Sequence, residues 1–177
     1  HSMPEMPKPR VVFAHGKESG PWGSKIQHLA GVAESLGFAV ESLDYSDLMD
    51  PTARVDRLIA HAPLGAPLVL VGSSMGGYVS AMACGALKPD ALLLLAPALY
   101  LDGYPGEPQG CPADSMVVHG WGDDIVPLDS SLRFARERRA ALHVLDDGHR
   151  LADSIELIGA LFSRQLKRAL DHARPGP

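Results

Sequence analysis

The chain is poor in cysteine, has no long apolar run and carries no excess of basic residues. Cys84 and Cys111 are the two cysteines in 177 residues, which excludes a disulfide scaffold and favours a reducing compartment, so we expect a cytoplasmic location. The longest apolar run, at 91–98, contains Pro97 and is far shorter than the ~20 residues of a membrane-spanning helix. The formal net charge of -5 argues against a nucleic-acid partner, whose phosphates attract a basic surface.

The length fits one domain, which we place at 11–172. Residues 1–10 are expected to be disordered, because proline and charged residues dominate them and no apolar core is present. His1 and Ser2 precede Met3 and are interpreted as a cloning remnant. Residues 173–177 end in RPGP and are expected to be a frayed tail.

Within the domain, short apolar runs alternate with longer stretches of helical periodicity. Strands are predicted at 11–14, from 38 onward, and at 68–71, 91–95, 115–118 and 141–145. Helices are predicted at 24–36, 51–62, from Ser74 to 86, at 128–138 and at 153–171. Prolines and glycines at 97–112 predict a loop.

The strands are apolar on both faces and are separated by helices, a pattern typical of a parallel sheet covered on both sides. Right-handed crossovers then predict a three-layer α/β/α sandwich with a doubly wound, mainly parallel sheet of about six strands. Loops at the carboxyl ends of these strands are expected to form the functional site.

Ser74 lies in the segment GSSMG at 72–76, which fits the pattern G-x-S-x-G in one frame. A sharp strand-to-helix turn forces the serine into a strained conformation, and side chains two positions to either side would collide. The segment follows an apolar strand directly and precedes a helix, the context that a nucleophilic serine requires. The alternative is a turn that needs glycine for its backbone alone.

A serine nucleophile needs a base, and the base needs an orienting carboxylate. His149, in DDGHRL at 146–151, follows the last predicted strand and is the candidate base. The segment HGWGDDIVP at 119–127 follows the preceding strand and supplies two candidate acids, Asp123 and Asp124.

These segments resemble the α/β-hydrolases, in which H-G-x-x-D-x-x-V-P carries the acid and a late G-H carries the base. The resemblance selects Asp123 as the acid and covers nearly the whole chain from Val11 onward. It implies a minimal fold, without the first two strands and the cap domain of larger members. The proportions are similar to those of short bacterial esterases and of small serine hydrolases first named for binding the retinoblastoma protein.

The resemblance also implies an oxyanion hole made of backbone N–H groups. One is that of Met75, the residue after the serine, and the other is that of Lys17, the residue after the H-G of the first loop. Candidate substrate-binding side chains in loops at the same edge are Trp22, Tyr100 and Trp121, with Leu99 and Tyr104 beside them. Each of these five can instead be a local packing anchor.

Together these residues predict a serine hydrolase that cleaves a small carboxylic ester or thioester through an acyl-Ser74 intermediate. The loop at 97–112 is too short for a cap, so we expect a shallow, exposed site. An acyltransferase using the same triad remains an alternative, as does a binding or scaffolding protein that retains the fold. We expect a small-molecule ester or acyl partner and no cofactor or metal, because no ligand spacing is present. The residues do not determine an oligomeric state.

Overall fold

The computed structural model describes residues 6–173 and contains six strands and five helices in that range. The strands are β1 (Arg10–Ala14), β2 (Ala39–Ser42), β3 (Leu68–Ser73), β4 (Ala91–Leu95), β5 (Asp114–Gly120) and β6 (Ala141–Leu145). The helices are α1 (Ser24–Ser35), α2 (Pro51–His61), α3 (Met75–Leu87), α4 (Leu128–Arg138) and α5 (Ile155–Ala173).

The six strands form one parallel sheet in the order β2-β1-β3-β4-β5-β6. Its two faces carry separate apolar cores because successive strand residues point to opposite sides. In β1, Val11 and Phe13 pack with α1 and α5, whereas Val12 and Ala14 pack with the helices of the other face. The predicted three-layer, doubly wound architecture is confirmed.

The strand order reverses at β1, because β1 lies between β2 and β3 in the sheet. The chain runs from β1 to β2 on one side and then crosses back to β3 on the other. Such a reversal opens a crevice at the carboxyl ends of the two central strands, because their following loops lead to opposite faces of the sheet. The loop after β1 and the turn after β3 therefore meet at this crevice.

Most element bounds lie within one residue of the sequence prediction, but α5 covers Ile155–Ala173 rather than the predicted 153–171. It begins late because the Asp153 N–H and the Ser154 hydroxyl bind the Asp147 carboxylate in the preceding loop. β3 and β5 each run two residues further, because Ser73 pairs with Leu95 and Gly120 pairs with Leu145 in the parallel ladder. Within residues 6–173, no helix has both the length and the apolar character needed to cross a bilayer.

The expected disorder of residues 1–10 is wrong for the last three of them. The carbonyl oxygens of Lys8 and Pro9 accept hydrogen bonds from Ala66 and Ala39, and Arg10 begins β1. The N–H groups of the neighbouring segments need acceptors, and these carbonyls supply them. The edge of the sheet therefore orders residues 8–10 although their sequence is polar. Residues 1–5 and 174–177 lie outside the described residues, and α5 includes Ala173, the first residue of the expected tail.

Candidate active site

Ser74 occupies the turn between β3 and α3 in a conformation that few residues with side chains adopt, with φ 57° and ψ -117°. The turn is tight enough to exclude side chains on both flanks. A Cβ on Gly72 would lie 2.0 Å from the carbonyl oxygen of Gly76, and one on Gly76 would lie 1.9 Å from that of Ala14. Both glycines are therefore required by close backbone approach, as the sequence analysis argued.

The backbone of Ser74 is bound on both sides, which holds the strained turn in place. Its N–H donates to the carbonyl oxygen of Leu95 at 2.9 Å, and its own carbonyl accepts from Gly77 at 2.9 Å and Ala98 at 3.0 Å. Ser74 is also the N-cap of α3, so its hydroxyl lies at the positive end of the helix dipole.

His149 lies between Ser74 and Asp123, residues that are remote in the chain. Its Nε2 is 3.1 Å from Ser74 Oγ, and its Nδ1 is 2.7 Å from Asp123 Oδ2. The carboxylate accepts, so Nδ1 carries the hydrogen and Nε2 is free to accept the serine proton. A hydroxyl, an imidazole and a carboxylate in this order can act as nucleophile, base and orienting acid.

The carboxylate of Asp123 is 1 % exposed and receives hydrogen bonds at both oxygens. Oδ1 accepts from the N–H groups of Ile125 at 2.9 Å and Val126 at 2.8 Å, and Oδ2 accepts from His149. Burial alone would raise the pKa of Asp123, but the hydrogen bonds outweigh it and hold the pKa below its ordinary value. Its neighbour Asp124 is exposed and makes no hydrogen bond within the described part of the chain.

His119 is fully buried and contacts the same carboxylate, a link that the sequence analysis did not find. Its Nε2 lies 2.9 Å from the carbonyl oxygen of Val126 and 3.2 Å from Asp123 Oδ2. Both neighbours are acceptors, so this nitrogen carries a hydrogen. Its Nδ1 lies 2.7 Å from Ser131 Oγ in α4. His119 thus joins β5 to the loop that follows it and to α4, and in addition it supports the Asp123 carboxylate.

Asp147, which the sequence analysis did not single out, shapes the loop that carries His149. Its carboxylate accepts from the N–H of Gly148 at 2.7 Å, the N–H of Asp153 at 3.0 Å and the hydroxyl of Ser154 at 2.7 Å. Its carbonyl oxygen accepts from Gly122 at 3.0 Å, which binds this loop to the one carrying Asp123. The position of His149 relative to Asp123 is therefore determined by direct contact between their loops.

The loop after β1 lies against Ser74. A Cβ built on Gly16 would be 3.7 Å from Ser74 Cβ, and the N–H of Gly16 donates to Ser19 Oγ at 3.0 Å. The N–H groups of Lys17 and Met75 have no acceptor among residues 6–173, and Met75 begins α3 directly after the serine. Met75 directly follows the serine and Lys17 directly follows Gly16, and free N–H groups at such positions can bind an oxyanion.

The predicted pocket residues separate into two groups. Trp22 and Trp121 are 45 % and 67 % exposed, in the loops after β1 and β5. Tyr100 instead packs against the core, beneath the Arg133 guanidinium at 4.0 Å from its ring centroid, and lines a cleft of about 440 Å³.

Leu99 and Tyr104 are packing residues, the second of the two interpretations that the sequence left open. Leu99 is buried in the core, and the ring of Tyr104 packs edge-on against Tyr78.

The loop at 97–112 is bound down on the helices of one face. The hydroxyl of Tyr78 in α3 donates to the carbonyl of Pro105, Arg133 of α4 pairs with Glu107, and Arg138 donates to the carbonyl of Pro108. The loop is therefore anchored to α3 and α4, and Ser74 remains partly exposed at the edge of the sheet.

No protein-family model and no curated protein matches the chain. Among solved structures, the chain is 32 % identical to a protein of the α/β-hydrolase superfamily from Xanthomonas campestris pv. campestris. The match covers 92 % of this chain and 99 % of that one, with a TM-score of 0.82.

Two further structures share the fold at lower identity. An α/β serine hydrolase without lid from Xanthomonas campestris is 23 % identical over 94 % of this chain and 85 % of its own, with a TM-score of 0.64. The ydeN gene product of B. subtilis is 17 % identical over 90 % and 100 % of the two chains, with a TM-score of 0.78. Identity across the full length of the first relative, together with the parallel six-stranded sheet, shows that this chain belongs to the α/β-hydrolase superfamily.

Proposed function

We propose that the chain is a serine hydrolase that cleaves small carboxylic esters or thioesters through an acyl-Ser74 intermediate. The observation that carries this proposal is the continuous hydrogen-bonded series from Ser74 through His149 to Asp123. The arrangement provides a nucleophile, a base and a buried carboxylate, which a binding protein does not need.

In the acylation step, Ser74 Oγ attacks the ester carbonyl carbon while His149 Nε2 takes the hydroxyl proton. The carbonyl π electrons move to oxygen, and the resulting oxyanion accepts hydrogen bonds from the N–H groups of Met75 and Lys17. Collapse of this intermediate breaks the bond to the leaving alcohol or thiol, which receives the proton from His149. Asp123 keeps the required tautomer and stabilises the imidazolium.

In the deacylation step, water replaces the alcohol. His149 takes a proton from the water as its oxygen attacks the acyl carbon, and the same two N–H groups bind the second oxyanion. Collapse then breaks the bond to Ser74 Oγ, which recovers its proton from His149. The products are a carboxylic acid and the free enzyme.

The openness of the site supports small or flexible substrates. Ser74 is partly exposed, and the loop at 97–112 is anchored to α3 and α4 rather than folded over the serine. Trp22 and Trp121 are exposed on neighbouring loops and offer apolar contact area to an acyl or alcohol group. A substrate at such a site stays largely in solvent, so binding energy from remote groups is small.

The test combines a fluorophosphonate probe with assays of p-nitrophenyl acetate and butyrate. We expect the probe to label Ser74 in the wild type, and kcat/KM to fall by about 10⁴-fold or more in Ser74→Ala and His149→Ala. Ser73→Ala is a matched control, because Ser73 is the adjacent hydroxyl and ends β3. It should retain labelling and turnover.

Turnover that survives in Ser74→Ala would reject the mechanism. Labelling of Ser74 without release of the acyl group to water, but with release to an added alcohol or amine, would instead identify an acyltransferase.

A further inference from the structure

Arg54 of α2 is a fully buried cation, and within the described part of the chain its side chain hydrogen-bonds only to backbone carbonyls. Its Nε donates to Leu48 at 2.7 Å. Its Nη1 donates to His15 at 3.3 Å and Gly16 at 3.1 Å, and its Nη2 donates to Lys17 at 3.4 Å. Among residues 6–173, no carboxylate oxygen lies within salt-bridge distance of Arg54.

A buried charge without a paired carboxylate is expensive to desolvate, and the carbonyl hydrogen bonds and the ring of Tyr45, whose centroid lies 5.7 Å from the guanidinium carbon, compensate that cost here. The arginine therefore fixes the backbone segments that supply those carbonyls. Three of its four acceptors are consecutive residues of the loop after β1, the loop that lies against Ser74. The planar guanidinium is suited to this task because its donors diverge in a fixed fork.

The contact with Gly16 bears directly on the oxyanion site. In a trans peptide the carbonyl of one residue and the N–H of the next point in opposite directions. Holding the Gly16 carbonyl toward Arg54 therefore turns the Lys17 N–H away from Arg54. A Cβ built on Gly16 would lie 3.7 Å from Ser74 Cβ, so the Gly16–Lys17 peptide begins beside the serine, and the Lys17 N–H has no acceptor among the described residues.

His15 holds the same carbonyl from a second direction. The N–H of Tyr45 donates to His15 Nε2 at 2.9 Å, so this nitrogen is an acceptor and the hydrogen is on Nδ1. Nδ1 then donates to the carbonyl oxygen of Gly16 at 2.8 Å. Burial lowers the pKa of His15, which favours this neutral tautomer.

We propose that Arg54 is a positioning residue that sets the orientation of the Gly16–Lys17 peptide and thereby directs the Lys17 N–H toward the oxyanion. The inference rests on the proposed hydrolase function. Arg54 does not touch substrate, and its effect passes through the backbone that it binds. Because an oxyanion exists only after nucleophilic attack, a misdirected N–H lowers kcat more than it changes KM.

The experiment measures kcat and KM with p-nitrophenyl butyrate for Arg54→Met and Arg54→Lys. We expect kcat to fall by about 10- to 100-fold in Arg54→Met, somewhat less than the loss of a complete oxyanion donor, with KM within about twofold of the wild type. Arg54→Lys keeps the charge but not the fork, so an intermediate kcat is expected. Affinity for a boronic acid that mimics the tetrahedral intermediate should fall in parallel with kcat.

Arg57→Met is the matched control because Arg57 is on the same helix and binds the segment after β2 instead. Its guanidinium donates to Asp47 and to the carbonyl of Asp44. This variant should keep kcat within about twofold of the wild type.

The failures are distinguishable. If the wild type neither turns over ester nor reacts at Ser74, the proposed function fails. If the wild type is active and a folded Arg54→Met or Arg54→Lys retains its kcat, the positioning role is wrong. Failure of both variants to fold, judged by circular dichroism, would also reject that role, since Arg54 would then serve stability.

Discussion

At the scale of single residues, Asp123 and Asp124 are adjacent carboxylates with different surroundings. Asp123 is buried and accepts from two backbone N–H groups and His149, whereas Asp124 is exposed to solvent. A carboxylate that holds an imidazole in one tautomer must be fixed relative to it, and only Asp123 is fixed in this way.

We therefore predict that Asp123→Asn lowers kcat by about 10³- to 10⁴-fold, because an amide can present a donor to His149 Nδ1 and favour the wrong tautomer. Asp124→Asn should remain within about twofold of the wild type. Steady-state kinetics with p-nitrophenyl acetate measure both variants. An equal loss of kcat in the two variants, or a larger loss in Asp124→Asn, would show that Asp123 is not the orienting acid.

At the scale of elements, the contact between α3 and β1 determines how close Ser74 lies to the loop after β1. A Cβ on Gly76, in the first turn of α3, would lie 1.9 Å from the carbonyl oxygen of Ala14 at the end of β1. The Ala14 carbonyl belongs to the backbone of a central strand, so it cannot move away from an added Cβ as the end of a flexible side chain can. Gly31 on α1 differs, because a Cβ there would meet nothing within 4 Å.

We predict opposite effects of the same substitution in these two helices. Gly76→Ala should lower the free energy of unfolding by about 3 kcal/mol or more, or prevent folding, because it forces α3 away from β1. Gly31→Ala should raise the free energy of unfolding by about 0.5–1 kcal/mol, because alanine is more favourable than glycine at an exposed position within a helix. Urea denaturation followed by circular dichroism measures both. A Gly76→Ala variant as stable as Gly31→Ala would contradict the close approach.

At the scale of the whole molecule, several ionisable groups have lower pKa values in the folded chain than their ordinary values, so folding favours their deprotonated forms. The hydrogen bonds from Arg57 lower the pKa of Asp47 from 3.8 to about 2. Burial opposes ionisation of Asp147, but the hydrogen bonds from Ser154 and backbone N–H groups outweigh it and lower its pKa, as they do for Asp123. Burial lowers the pKa of His15 below its ordinary 6.5.

All of these pKa shifts make the folded chain less stable in acid. In each case the ionisable group binds its proton more tightly in the unfolded chain than in the folded chain. We predict that the free energy of unfolding decreases steadily on acidification. His15 contributes to the decrease below about pH 6.5, and the three aspartates contribute below about pH 4. Urea denaturation at pH 7, 5 and 3 measures the trend. A constant or increasing free energy over that range would show that other groups dominate.

The sequence alone predicted the order and type of the elements and singled out Ser74 as the candidate nucleophile. Strand and helix positions follow from local periodicity, and the loop segments of Asp123 and His149 follow from their places after late strands. Ser74 follows from steric requirements that act within five residues, since Gly72 and Gly76 are needed by the turn itself. Such local chemistry is visible without knowing which strands are neighbours.

The tertiary structure alone decided the contacts between distant segments. Arg54 reaches a loop 37 to 39 residues earlier in the chain, and Asp147 binds the acid loop, because strand order brings these segments to one edge of the sheet. One signal was available for Arg54: it precedes Leu58 by one helical turn and so lies on the buried face of α2. Helical spacing predicts that Arg54 lies on the buried face of α2, but it does not predict which loop packs against that face. Only the assembled sheet therefore identifies the carbonyls that this arginine binds.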